Sequence, residues 1–187
     1  MRLLRRVSSH SGTGPGVASV RESDRLRHRS RVLSTSNIVI GQFGGLGAVT
    51  RAAAKELRRH GAIVLSLDEP DAVAQAEVAN RFSADVFVGV DAAAGDRTVV
   101  HYYRVPGFES IGGHTLATSM SSALAECGLD VDQPCGRRLP ILRETKMPAV
   151  LCRLAPVRSS VDSAVAVGDA LATAVREWTE GPSLSST

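Results

Sequence analysis

Cysteines, aromatic residues and long apolar stretches are all scarce in this chain of 187 residues. The three cysteines are an odd number without C-x-x-C spacing, which argues against both a disulfide framework and a cysteine zinc site. Aromatic residues make up 4% of the chain, so alanine, valine and leucine must fill the core. No apolar run approaches the roughly 18–20 residues that span a bilayer. These absences leave a globular domain without a predicted transmembrane segment.

Positive charge is concentrated at the start of the chain. Eight arginines against Glu22 and Asp24 give residues 1–32 a charge of +6, while the other 14 basic and 17 acidic residues give the rest −3. A basic arm can bind nucleic acid, but the acidic body has no aromatic platform among basic residues. We therefore expect no nucleic-acid partner and interpret the arginines as part of a solvated leader.

Composition divides the chain into three parts. A Ser/Gly/Pro-rich stretch at 8–18 and the arginines after it predict a basic leader or linker over 1–36. A compact domain is predicted over 37–181, and a polar tail over 182–187. The charged start MRLLRR loses its apolar character after Leu4 and does not predict a secretory signal. We expect a cytoplasmic protein, or a fragment of a longer exported one whose compartment the sequence leaves open.

Strand-like and helix-like patterns alternate along the predicted domain. The predicted strands are 37–40, 62–67, 86–90, 98–103 and 149–154, and the predicted helices are 49–60, 70–82, 115–127 and 160–178. Asp68 is the predicted cap of the second helix. The pattern predicts an α/β fold with one open, mostly parallel sheet of about six strands and helices on both faces. Ligands of such sheets bind beyond the carboxyl ends of the strands.

The glycine-rich turn at 41–47 follows a predicted strand and opens a helix. Its glycines, at 41, 44, 45 and 47, do not match G-x-G-x-x-G, although Asp68 lies near the place of a ribose-binding acid. A dinucleotide site therefore stays an alternative to a tight structural turn. The histidines form no H-x-x-x-H pair and G-x-S-x-G is absent, so neither a helical zinc site nor a serine-hydrolase elbow is predicted.

Three segments carry a resemblance to a known family. They are IVIGQFGG at 38–45, ANRFSADVFVGVDAAA at 79–94 and LRETKMPAVLCRL at 142–154. In their order and intervening helices they resemble the zinc-dependent N-acetylmuramoyl-L-alanine amidases, the peptidoglycan amidase family, over residues 37–180. The leader is similar to the segment that precedes amidase-like domains in some actinobacterial cell-wall regulators. The resemblance implies an amidase-like fold and a role in peptidoglycan metabolism.

The residues that this family uses for zinc binding and catalysis are replaced here. The resemblance implies zinc ligands at a first-turn His, a Glu opening the first helix and a His ending the central strand, with a final-strand Glu as general base. In this chain Phe43 stands in the first turn, Asp91 ends the central strand and Arg153 replaces the base. No Asp or Glu occurs between residues 37 and 55. Because arginine cannot accept a proton at neutral pH, we predict no catalytic residues, no bound metal and no other cofactor.

From these replacements we first predict that the chain acts as a non-catalytic binding or regulatory module. Its predicted partner is a peptidoglycan fragment or a protein of cell-wall synthesis. Candidate ligand-binding residues are Arg143, Glu144 and Thr145, in the loop before the last predicted strand. Asp91 and Arg153 end strands that we expect to be neighbours, so we also predict that they form an ion pair in place of the metal.

The alternative function is an active zinc amidase that cleaves the MurNAc–L-Ala bond with unusual ligands. The ligands available for it are Asp91, His101 and His114. Zinc content distinguishes the two functions, because hydrolysis requires a metal with an open coordination position.

Overall fold

The computed structural model describes residues 33–181, which are built around a seven-stranded sheet. The predicted leader over 1–36 lies almost wholly outside these residues, and the predicted tail over 182–187 lies entirely outside them. The division of the chain at these points stays a prediction. No helix within 33–181 is both long and apolar enough to cross a membrane.

The strands follow one another with helices between most of them. They are β1 (Asn37–Gln42), β2 (Ile63–Asp68), β3 (Val86–Ala92), β4 (Val99–Val105), β5 (Phe108–Glu109), β6 (Cys135–Arg137) and β7 (Ala149–Leu154). After a 3-10 turn at Leu33–Thr35, the helices are α1 (Gly47–Arg59), α2 (Ala72–Arg81), α3 (Ile111–Glu126), α4 (Pro140–Glu144), α5 (Val157–Asp162) and α6 (Ala164–Glu180).

The sheet is mostly parallel, as the sequence predicts. Its order is β2-β1-β3-β7-β4-β5, and β6 pairs with β4. Strands β2, β1, β3 and β7 are mutually parallel, whereas β4 runs antiparallel to β7. The carboxyl ends of β1, β3 and β7 therefore meet at one edge of the sheet, next to the start of β4.

The predicted α/β class is confirmed, and every predicted strand is present with ends that differ by no more than two residues. The sheet has seven strands rather than about six, because β5 and β6 were not predicted. These strands contain two and three residues and lack an apolar run. Helix α4 was also missed and lies where a loop was expected.

Three predicted helices have boundaries that differ from the observed ones, and local capping explains two of the differences. Helix α2 is capped by Asp71 rather than Asp68: the Asp71 carboxylate accepts from the Val73 and Ala74 amides at 2.7 and 3.2 Å. Helix α3 begins earlier than predicted, where Ser110 Oγ accepts from the Gly113 amide at 3.0 Å. The predicted helix at 160–178 is two helices, α5 and α6, separated at Ser163.

The two faces of the sheet cover apolar cores of different size. Val86, Val88 and Val90 of β3 point into the larger core, which contains buried residues of α1, α3 and α6. Phe87 points to the other face, into a smaller core that contains residues of α2 and α4. Because side chains alternate along a strand, Asp91 lies on the same face as Phe87. The smaller core leaves the carboxyl end of this face open.

Close contact between α1 and α6 supports the larger core. Gly168 of α6 faces α1 so closely that a Cβ there would lie 2.5 Å from the Ala52 Cβ and 2.8 Å from the Ala53 backbone nitrogen. Helix propensity favours alanine over glycine by about 1 kcal/mol, but overpacking against a backbone typically costs about 1–3 kcal/mol. The cost of overpacking therefore decides whether a substitution at this position raises or lowers the stability of the fold.

We predict that Gly168→Ala lowers the free energy of unfolding by about 1–3 kcal/mol, because α1 and α6 must separate. Chemical denaturation followed by circular dichroism measures this change. The control is Asp169→Ala at the neighbouring exposed position, which should change stability by no more than about 0.5 kcal/mol. An alanine variant at 168 as stable as the parent protein would contradict the described helix contact.

Candidate functional site

The candidate site lies where β1, β3 and β7 end. In the parallel register, Asp91 of β3 is the direct partner of Arg153 of β7. The chain leaves β1 next to them, since the Phe43 amide donates to the Val90 carbonyl at 2.9 Å. Three segments that are distant in sequence thus converge at one edge of the sheet, as expected for a ligand site of an open parallel sheet.

Asp91 and Arg153 form the predicted ion pair. Arg153 Nε lies 3.4 Å from Asp91 Oδ2, and the two side chains are 43% and 27% exposed. A pair this accessible to solvent contributes about 0–1 kcal/mol to stability. Its importance therefore lies in the charge that it places at the strand ends rather than in the stability of the fold.

The first turn contributes an aromatic ring to this edge. Gly89 of β3 has no side chain, and a Cβ there would lie 3.1 Å from Phe43 Cε2 and 2.8 Å from Leu151 Cδ1. The Phe43 ring therefore packs against the sheet beside the smaller core. The next residue, Gly44, approaches Asp91, since a Cβ on it would lie 3.4 Å from Asp91 Oδ1. The turn, Asp91 and Arg153 are contiguous.

An open groove of about 950 Å³ begins at Asp91 and Arg153 and extends over β7 towards β4 and β6. We call it the β6 groove. Apolar side chains line part of it, and polar ones from β4, β6 and the segment before β6 line the rest. Its lining residues are Asp91, Val99, His101, Asp132, Gln133, Cys135, Arg137, Leu139, Leu151 and Arg153.

His101 is the most buried polar residue of the β6 groove, with 7% of its surface exposed. Burial lowers the pKa of its imidazole, the carbonyl of Cys135 opposes this shift, and the charges of Arg137 and Arg153 lower the pKa further. Nδ1 lies 3.3 Å from the Cys135 carbonyl oxygen. A carbonyl only accepts, so the hydrogen bond requires the proton on Nδ1 and leaves Nε2 as an acceptor. The ring is neutral at neutral pH.

Solved structures that resemble this arrangement of strands and helices include amidases. The catalytic domain of CwlV, an N-acetylmuramoyl-L-alanine amidase from Bacillus (Paenibacillus) polymyxa var. colistinus, aligns with a TM-score of 0.59 and 18% identity over 77% of this chain and 98% of that one. An N-acetylmuramoyl-L-alanine amidase from Clostridium difficile 630 aligns with a TM-score of 0.63 and 15% identity over 79% and 98% of the two chains.

A third structure, the catalytic domain of the CD27L endolysin targeting Clostridia difficile, aligns with a TM-score of 0.60 and 15% identity over 75% and 97% of the two chains. The fold is that of an N-acetylmuramoyl-L-alanine amidase catalytic domain. At these identities the likeness is one of fold. No sequence-family profile matches the chain, and no curated protein matches it by sequence.

Within this amidase fold, Phe43, Asp91 and Arg153 come together, as the sequence resemblance implies for the metal and base positions. Their chemistry does not fit zinc. The Phe43 ring has no donor atom, the Asp91 carboxylate already faces a guanidinium, and Arg153 places a fixed positive charge beside Asp91. No group of three or more His, Cys, Asp or Glu residues within 33–181 is placed to hold a metal.

The alternative ligand set of Asp91, His101 and His114 is wrong, because the sheet separates its members. His114 stacks on Tyr102, with ring centroids 4.6 Å apart and planes 6° apart. Tyr102 belongs to the larger core, and His101, its neighbour on β4, points to the opposite face. His114 Nδ1 also lies 2.6 Å from Glu109 Oε1. His114 therefore lies across the sheet from the β6 groove.

The candidate ligand residues Arg143, Glu144 and Thr145 lie at the end of α4, outside the lining of the β6 groove. Arg143 Nε donates to Glu144 Oε1 at 2.6 Å. Thr145, the C-cap residue of α4, donates from Oγ1 to the Ile141 carbonyl at 2.9 Å. These contacts satisfy the side chains locally, and a ligand-binding role for them stays a prediction, as does a dinucleotide at the glycine turn.

One residue of the β6 groove that the sequence did not reveal is Arg137. It lies on β6, a strand of sequence CGR that carries no periodic apolar signal. The register of β6 on β4 places Cys135 opposite His101 and Arg137 opposite Tyr103. Only this pairing shows that an arginine from a loop-like segment belongs to the same groove as Arg153.

We predict that a thiol reagent modifies Cys135 before Cys152 in the native protein. Cys135 lines the β6 groove, whereas complete burial raises the pKa of the Cys152 thiol to about 12. The thiolate is the reactive species, so Cys152 should react only on unfolding. Mass spectrometry of alkylated peptides over time measures the order, with Cys135→Ser as control. Modification of Cys152 first would contradict the described burial.

Proposed function

We propose that this domain is a non-hydrolytic, amidase-like module of peptidoglycan metabolism that binds a peptidoglycan fragment. The observation that carries the proposal is the Asp91–Arg153 ion pair, 3.4 Å from Nε to Oδ2, at the edge where strands β3 and β7 end. The amidase-like fold supports the link to peptidoglycan, and the charges at this edge support binding without hydrolysis.

Hydrolysis of an amide by a zinc enzyme requires two functions at this edge. A metal polarises the carbonyl and activates water, and a base accepts the proton of that water. Arg153 cannot act as the base, because its guanidinium stays protonated at any physiological pH. Its charge also opposes a divalent cation beside it, since like charges a few ångströms apart repel by about 1–4 kcal/mol in a partly solvated site.

Binding requires neither a metal nor a base, and the lining of the β6 groove supports a binding role. It is open, it combines the apolar side chains of Leu139 and Leu151 with polar groups, and it adjoins the ion pair. A ligand site of this kind fixes orientation through a few placed polar groups over an apolar floor. The groove therefore supports a role as a recognition surface.

We predict that the purified protein binds no stoichiometric zinc and does not cleave a muropeptide, but does bind it. The physical reason is that Phe43 and Arg153 supply neither a metal ligand nor a base. Elemental analysis after zinc loading and dialysis measures the metal, chromatography of the muropeptide measures cleavage, and calorimetry measures binding.

The catalytic domain of CwlV, treated identically, is the positive control for the cleavage assay. Stoichiometric zinc with cleavage by this chain would overturn the proposal. Absence of zinc, cleavage and binding together would also contradict it, because a recognition module must retain the ligand.

A further inference from the structure

Arg137 faces the β6 groove from the strand that forms one of its walls. Side chains alternate along β6, so Cys135 and Arg137 lie on the groove face and Gly136 lies on the other. The opposite face at Gly136 is filled by Arg104, since a Cβ on Gly136 would lie 2.6 Å from the Arg104 Cβ. Arg138, the next residue, is exposed and does not line the groove. Two adjacent arginines thus have different surroundings.

The charges that line the β6 groove are paired except for that of Arg137. Arg153 faces Asp91, with 3.4 Å between Nε and Oδ2. Asp132 accepts from Arg97 at 2.5 Å, and this arginine also contacts Asp130 at 3.1 Å. Within residues 33–181, Arg137 has no acidic partner. It is the one lining cation whose charge is left for a ligand.

Arg137 and Arg153 lie on the two sides of His101. Arg153 of β7 is paired with Val99 and Arg137 of β6 with Tyr103, so the two arginines flank His101 along β4. Both positive charges lower the pKa of the His101 imidazole. The ring itself stays neutral and keeps Nε2 as an acceptor, because Nδ1 is held by the Cys135 carbonyl. No protein donor within 33–181 contacts Nε2. The groove therefore offers one guanidinium with free donors beside one free acceptor.

We propose that Arg137 anchors a carboxylate-binding subsite in the β6 groove, and that the ligand is a peptide with a free carboxylate whose neighbouring amide N–H donates to His101 Nε2. This inference rests on the proposed function and assigns its ligand: the groove takes the peptide part of the fragment rather than the sugar. A guanidinium binds a carboxylate through two parallel, charge-assisted hydrogen bonds, which are stronger than hydrogen bonds to neutral hydroxyls. The apolar side chains of Leu139 and Leu151 suit an aliphatic side chain of the peptide.

The test uses the full chain and two synthetic probes, N-acetyl-alanyl-glutamate and the same dipeptide with both carboxylates amidated. Calorimetry measures the affinity, and protection of Cys135 from alkylation reports whether the probe occupies the groove. We expect the acidic probe to bind and to protect Cys135, and we expect the amidated probe to bind at least about tenfold more weakly.

Substitutions at the two adjacent arginines separate the subsite from general charge effects. Arg137→Ala should weaken the acidic probe by about 10–100-fold, and Arg137→Lys should restore part of the loss. Arg138→Ala removes the same charge from the residue that follows β6, outside the groove, and should change the affinity by less than about twofold. Thermal unfolding of each variant confirms that the fold is retained, because both side chains are exposed.

A muropeptide measured on the same variants distinguishes failure of this inference from failure of the proposed function. Equal binding of the muropeptide by the parent protein and by Arg137→Ala would overturn the subsite and leave the proposed function standing. Arg137-dependent binding of the acidic probe without binding of the muropeptide would sustain the subsite and overturn the proposed function. Absence of binding by any probe would overturn both.

Discussion

The in-register parallel pairing of β3 with β7 is the contact on which the geometry of the groove depends. It aligns Asp91 with Arg153 across neighbouring strands and places both side chains on the less covered face. A shift of one residue in either strand would turn its side chain into the larger core. The apolar runs at 86–90 and 149–152 prevent such a shift, because it would expose valines and bury charges. The charge at the site is thus fixed by the packing of the sheet beneath it.

The strands and helices that could be predicted from the sequence are those with a strong apolar pattern. The central strands are continuous apolar runs, so their positions followed from the pattern. The expected meeting of Asp91 with Arg153 drew on the resemblance to amidases as well, because an apolar run does not state which strands are neighbours. The resemblance to amidases added the expectation that the first turn belongs to the same edge, and the Phe43 amide lies there, bonded to the Val90 carbonyl. The role of Phe43 stays a prediction. The polar parts of the site were less visible, because Arg137 and Cys135 lie on a strand of three residues with no apolar signal.

The errors of the sequence analysis have local causes. Asp68 and Asp71 are both plausible caps, and only the backbone after Pro70 decides that Asp71 reaches the amides of α2. The alternative zinc set combined His101 with His114, because sequence distance does not state which face of the sheet a side chain takes. The alternation along β4 and the stacking of His114 on Tyr102 decide this question. The face that each side chain takes is therefore set by how strands and helices pair and pack, and the sequence of a single strand or helix does not reveal it.

The unequal cover of the two faces has a consequence for how such a domain can change over evolutionary time. The larger core, enclosed by three helices, contains most of the buried apolar side chains. The solvent-exposed ion pair of the groove adds little to the stability of the fold. A lineage can therefore exchange residues around the groove one at a time while selection for a folded protein acts almost entirely on the other face. New recognition can arise there without a stage at which the chain is unfolded.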